Sequence, residues 1–165
     1  MTQTGSKRAQ AFFQRYFIDA MSSMALGLFA SLIIGLILSQ LSGIPGLSFL
    51  KDFANMASAS SPVVGAAIGV AVAYGLKVKP LAIFSSAITG ALGYQLGGPV
   101  GAYLAAVIGA EAGHFIAGKT PVDIVLIPIV TIVSGGLVAR FTGPAIMSAM
   151  NALGNFINEA TRLQP

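Results

Sequence analysis

The sequence predicts an all-α membrane protein, a polytopic bundle of about five transmembrane helices with amphipathic helices at the interface. Three observations carry this. Of 165 residues, 55% are hydrophobic and 8% are charged, against about 25% charged in soluble domains. Four runs carry no charge at all, at Met21–Leu50, Phe53–Leu76, Pro80–Ala110 and Ile124–Ala139, and roughly twenty apolar residues cross a bilayer core. Small residues also recur at every fourth position in three of these runs. They are Ser23, Gly27, Ser31, Gly35 and Ser39; Ser61, Gly65, Gly69 and Ala73; and Gly101, Ala105, Gly109, Gly113 and Ala117. In lipid, helices associate by close backbone approach, and such stripes permit it.

The elements follow in order. Residues 1–11 are expected to form a disordered cytoplasmic tail, and residues 12–165 the transmembrane domain. Phe12, Phe13, Tyr16 and Phe17 share one side of an approach helix, opposite Gln14 and Arg15; aromatic rings so placed lie at the headgroup level. The first span, Ala20–Leu41, ends at Gly43-Ile44-Pro45-Gly46. The apolar run is too long for a secretory h-region, so it is read as a retained span. Leu47–Ala59 is predicted as a short interfacial helix, and Ser61-Pro62 opens a second span with proline in its first turn. Lys77-Val78-Lys79-Pro80 is a tight charged turn.

The next run is interrupted by Gly93-Tyr94-Gln95-Leu96-Gly97-Gly98-Pro99, where glycines and proline break the helical pattern. Two pieces result, Leu81–Tyr94 and Pro99–Ala117. They form either two tightly turned spans, the favoured reading, or one span with a re-entrant half-helix. Val122–Ala139 is the fifth span. Pro144–Thr161 reads as a separate amphipathic helix, with Ile146, Met150, Leu153 and Ile157 on one stripe. With the N-terminus inside, Lys7, Arg8, Arg15, Lys77, Lys79 and Lys119 fall on the cytoplasmic side, against Lys51, Arg140 and Arg162 outside. The positive-inside rule favours that orientation.

Several function classes are excluded. The net charge of +4 is spread over single basic residues, not the cluster that nucleic-acid binding requires. With no cysteine there is no disulfide, thiolate metal site or phosphocysteine chemistry. No Gly-x-Ser-x-Gly elbow is present, and the chain is not read as an enzyme. A Glu-x-x-His pair such as Glu111 and His114 occurs in di-iron bundles, but those need two pairs and further carboxylates. Five acidic residues and one histidine do not supply them, so no metal and no cofactor is expected.

The candidate site begins with Glu111 and His114, within GAEAGHFIAG. They lie at i and i+3 on one helix face, turned away from the Gly101–Ala117 stripe. If that stripe packs on a sister helix, the Glu/His face meets a cavity. An ionisable group within a span costs at least about 2.5–3.5 kcal/mol and is a functional hypothesis by default. The alternative is a carboxylate near the cytoplasmic end that snorkels or pairs with His114 or Lys119. Gly97 and Gly98 open a helix, where free N–H groups receive an anion or a hydroxyl; a simple turn explains them too. Gln95 and Asn55, near span ends, are placed to hydrogen-bond a sugar, or are merely solvated. Thr120, Pro121 and Asp123 read as an N-cap, a first-turn proline and a first-turn acid.

The segments YFIDAMSSMALGLFASLIIGLIL, GAAIGVAVAYGLK and GYQLGGPVGAYLAAVIGAEAGHFIAGKTPVDIVLIPIVTI resemble the phosphotransferase-system EIIC-like membrane proteins of the PfoR type, from Phe12 onward. The resemblance implies a multi-pass protein of the bacterial cytoplasmic membrane and a sugar-permease-like subunit with a sugar-like solute. It implies substrate binding by Glu111 and His114 by analogy of residue type; the broken helix at Gly97 and Gly98 is then expected to offer backbone groups near that site, as discontinuous helices do in transporters, with Gln95 and Asn55 as further polar candidates. PfoR-type chains continue for about as long again, so a homo-oligomer or pairing with a missing C-terminal half is expected. No phosphorylatable EIIA or EIIB domain is recognised, so this chain alone would not phosphorylate sugar. A membrane sensor that binds without transporting, and a structural partner subunit, are the alternative functions.

Overall fold

In the computed structural model, residues 3–163 are described, and all regular structure among them is helical. The first helix, α1, runs unbroken over residues 3–41, with π-helical winding at Gln14–Ala20 and Phe29–Ile33. A short interfacial helix α2, Leu50–Met56, precedes α3, Pro62–Gly75. The run Pro80–Ile116 forms α4, and Asp123–Leu163 forms α5.

Local chemistry sets these boundaries. Ser61 caps α3, its hydroxyl accepting the Val63 N–H at 3.3 Å, with Pro62 in the first turn. At the other end, Lys77 N–H donates to Tyr74 O and Val78 N–H to Ala73 O. This places Lys77 at φ 56°, the left-handed position usually given to glycine at a helix end. The loop into α5 is organised differently from a Thr120 cap. The Asp123 carboxylate reaches back to accept from Gly118 N–H, Thr120 N–H and the Thr120 hydroxyl.

The break in α4 is a hairpin. Gly97 (φ −146°, ψ 17°) and Gly98 (φ 62°, ψ −157°) leave helical geometry and divide α4 into two pieces, α4a before and α4b after. A Cβ on Gly93 would strike the Gly101 carbonyl, and one on Gly113 would lie 3.3 Å from Ala82 Cβ. Contacts that run from 93 with 101 to 113 with 82 describe two antiparallel helices. The break is therefore a turn between two antiparallel helices, and α4a and α4b reach about 25 Å each at 1.5 Å per residue. With α1, α3 and α5 they make five apolar helical segments. Three helical runs, Lys7–Leu41, Pro80–Ile116 and Asp123–Arg162, are long and apolar enough to cross a membrane; Pro62–Gly75 is a shorter apolar helix.

The core is built from missing side chains as much as from present ones. Val64, Ile68 and Val72 of α3, with Leu76 just past its end, are buried among Ala82, Ala102, Ala106 and Ala110. Gly27 packs on Ala67 and Ala71, Gly35 on Ala57, Gly69 on Ser86 and Gly90, and Gly109 on Thr131. All three predicted small-residue stripes thus lie in helix contacts. The outward faces are apolar: Leu26 is 69% exposed, Ile124 73% and Phe141 77%. Such a surface is stable against lipid and not against water.

Three expectations are corrected. Helix begins at Gln3, within the expected disordered tail; residues 1 and 2 lie outside the described part. Lys7, Arg8, Ala9 and Gln10 are good helix formers, and adding turns to an existing helix avoids the cost of nucleation. At the other end, Pro144–Thr161 is not a separate helix, because α5 continues through Pro128 and Pro144 to Leu163. Each proline deletes one backbone bond from a 41-residue rod, a loss that membrane helices tolerate. The expected interfacial helix Leu47–Ala59 contracts to Leu50–Met56 between turns.

Candidate functional site

Glu111 stands on the face of α4b opposite its glycine–alanine stripe, as the spacing predicts. Gly101, Gly109 and Gly113 turn inward against Gly93 and Thr131. Tyr103, Val107 and Glu111, four residues apart, turn toward the N-terminal part of α1. Between the two helices lies a cleft of about 330 Å³, lined by Phe12, Tyr16, Phe17, Tyr103, Val107 and Glu111 among others. That volume is at the lower end of small-molecule sites.

The local partners expected for Glu111 are not the ones it takes. Arg15 donates to Glu111 Oε1 from Nε at 2.9 Å and from Nη2 at 2.7 Å, and the Tyr16 hydroxyl donates to the same oxygen at 3.1 Å. Tyr103 Oη donates in turn to the Tyr16 carbonyl. Among the described residues no donor reaches Oε2, and the Glu111 side chain keeps 28% of its surface exposed. One carboxylate oxygen is therefore held by three donor groups, and the other takes none among the described residues.

The local fold explains the convergence. Arg15 and Tyr16 are chain neighbours and would diverge by about 100° on an α-helix. They lie in the π-helical segment Gln14–Ala20, where more residues per turn narrow the angle between neighbours. Phe12 packs on Tyr16 with ring centroids 4.6 Å apart and Phe13 stacks on Phe17 at 5.0 Å. These i, i+4 pairs stiffen the helix and give the cleft an aromatic wall.

The other predicted residues are placed elsewhere. His114 is exposed and shares no hydrogen bond with Glu111 among the described residues. Lys119 lies over the Phe115 ring, 3.4 Å from its centroid. Gly97, Gly98 and Gln95 lie at the opposite end of α4b. Gly98 is thirteen residues from Glu111 in sequence, about 20 Å along the helix. Gly97 packs on Gly143, where a Cβ would come within 3.1 Å of that residue's Cα. Gln95 is exposed, as is Asn55 on α2. The expectation of a broken helix supplying backbone groups beside Glu111 is corrected by this separation: the hairpin turn caps the far end of the bundle.

Sequence reasoning missed Arg15, Tyr16 and Tyr103. A signal was available for each. Arg15 is a cation within the aromatic entry to the first span, and Glu111 is an anion near the same, basic end of the fourth. Opposite charges at one depth of a membrane are candidates to pair. Tyr103 precedes Glu111 by eight residues and so shares its face.

Comparison with known proteins gives one family. Its model, described as "Phosphotransferase system, EIIC", matches residues 18–165. No curated protein and no solved structure matched the chain.

Proposed function

The chain belongs to the phosphotransferase-system EIIC family and is a membrane transporter component; from that premise we propose that it binds a sugar-like solute in the Glu111 cleft. The observation that carries this is the half-satisfied carboxylate in an aromatic-walled cleft. Oε2 accepts hydrogen bonds from solute hydroxyls, while Phe12, Phe17 and Tyr103 offer apolar surface to the C–H face of a ring. With Arg15 compensating its charge, the site suits a neutral polyol better than an anion. His114, exposed one turn further toward the loop, is assigned to solute entry, and Gln95, Gly97, Gly98 and Asn55 to the far mouth of the path.

The finer placement follows the same reading. The protein is of the PfoR type, resides in the bacterial cytoplasmic membrane, and keeps its N-terminus inside. Arg15, Lys77, Lys79 and Lys119 then lie on the cytoplasmic side, and the Glu111 cleft opens near it. The chain acts as a permease part and not as an enzyme. An apolar groove of about 640 Å³ between α1 and α3, lined by Leu26, Ala30, Val63 and Val70 among others, offers packing surface for a second copy or a further half of the permease.

The test is binding and uptake of radiolabelled hexoses, hexitols and disaccharides in proteoliposomes. At least one is expected to bind, and Glu111→Gln is expected to weaken it about ten- to a hundredfold, the worth of a hydrogen bond to a charged group. Uptake lost with Glu111→Gln supports the permease. Saturable binding without flux identifies a sensor, and indifference to Glu111→Gln across every bound solute removes the site.

A further inference from the structure

We propose that Arg15 is the positioning residue of this cleft, and that through it the N-terminal part of α1, residues 7–18, forms a movable wall latched onto α4b. The inference rests on the reading of the Glu111 cleft as a solute site and adds the element that opens it.

Two parts of α1 are held in different ways. Beyond residue 20 the helix is locked by backbone approach, with Gly27 against Ala67 and Ala71 and Gly35 against Ala57. Separating those contacts would open voids in a packed interior. Before residue 20 the helix reaches α4b through polar side chains. Arg15 and Tyr16 grip one oxygen of Glu111, and Tyr103 grips the Tyr16 carbonyl. The aromatic residues around them bury little, since Phe12 is 59% exposed, Phe13 55% and Phe17 53%. Releasing residues 7–18 breaks four hydrogen bonds and the packing of Tyr16 at the edge of the core, while the buried Ala20 stays in place.

The two ends of the latch also differ in what release costs them. Arg15 is 39% exposed and lies among aromatic rings at the entry to the span. A freed guanidinium there snorkels to water and headgroup phosphates. Glu111, held on the packed helix α4b, loses its compensating charge and is left bare toward the cleft. A polyol entering then supplies donors that the wall has withdrawn, and reclosure restores Arg15 to Oε1 with the solute on Oε2. The π-helical winding falls on this same segment. Such winding recurs at functional sites, and conversion to α-helical winding would rotate Arg15 away from Tyr16.

The chain has no cysteine, so an engineered pair reports one distance alone. The experiment uses the full chain in lipid vesicles without solute. A wall pair, Phe12→Cys with Ile108→Cys, spans the cleft; a control pair, Leu26→Cys with Val70→Cys, spans the groove between α1 and α3. Both are cross-linked with a short bis-maleimide. Arg15→Gln and Glu111→Gln are each expected to lower the wall yield several-fold and leave the control yield unchanged. Arg15→Lys should retain most of the wall yield, and the exchange Arg15→Glu with Glu111→Arg should restore it. A wall yield unmoved by both single substitutions overturns the proposal. So does a wall yield that falls together with the control, which would make the pair a general structural tie. Because no solute is present, this result is read separately from whether the cleft binds sugar.

Discussion

At Gly98 the backbone takes φ 62° and ψ −157°, a region essentially closed to any residue with a Cβ. Nothing lies within 4 Å of where that Cβ would be, so the demand is conformational and not one of space. Gly98→Ala is expected to cost about 1–3 kcal/mol, measured as a loss of thermal stability in detergent, while Gly154→Ala, in open helix, should leave stability level or higher. Both glycines are visible in the sequence, and only the dihedral angles distinguish them. Glu111 makes the same point for charge. Its position on a face away from the stripe was legible from spacing; its partner, 96 residues away, was not, because local periodicity says nothing about which helix a face will meet.

At the scale of the element, helix separation is set by a few atoms. A Cβ on Gly69 would overlap the Ser86 carbonyl and approach Gly90 Cα at 2.9 Å. Backbone cannot yield as a flexible side chain does, so α3 and α4a would have to part. Gly69→Ala is expected to destabilise the bundle by about 1–3 kcal/mol, as overpacking does, with a matching drop in the detergent melting temperature. The four-residue stripes announced these contacts, since nothing but a small residue every turn allows them. The helix ends were less legible. Pro144 read as a boundary, yet α5 passes through it, because a proline that ends a helix in water costs less in a long rod whose remaining bonds have no competing solvent.

For the whole molecule, the hairpins place residues at two ends. One end carries Arg15, Lys77, Lys79 and the loop at 117–122; the other carries α2, the turn at Gly97 and Gly98, and the later part of α5. A single-cysteine series reads this directly. A membrane-impermeant maleimide applied to intact cells is expected to label Ser58→Cys and not Lys77→Cys, with both labelled once the membrane is opened. The reverse pattern would invert the orientation and put the Glu111 cleft on the outside, leaving the helix packing unchanged.

Composition and periodicity determined the helical membrane class, the segments, the break at Gly97-Gly98 and the faces that pack, because each depends on residues within a few turns of one another. The tertiary structure decided that the break is a hairpin, that α5 is one rod, and that Glu111 answers to Arg15 and Tyr16 and not to His114. Those outcomes depend on which helices become neighbours. A hydrogen bond between residues 15 and 111 exists only after the three intervening segments, α2, α3 and α4a, have folded back to bring α1 and α4b to the same end.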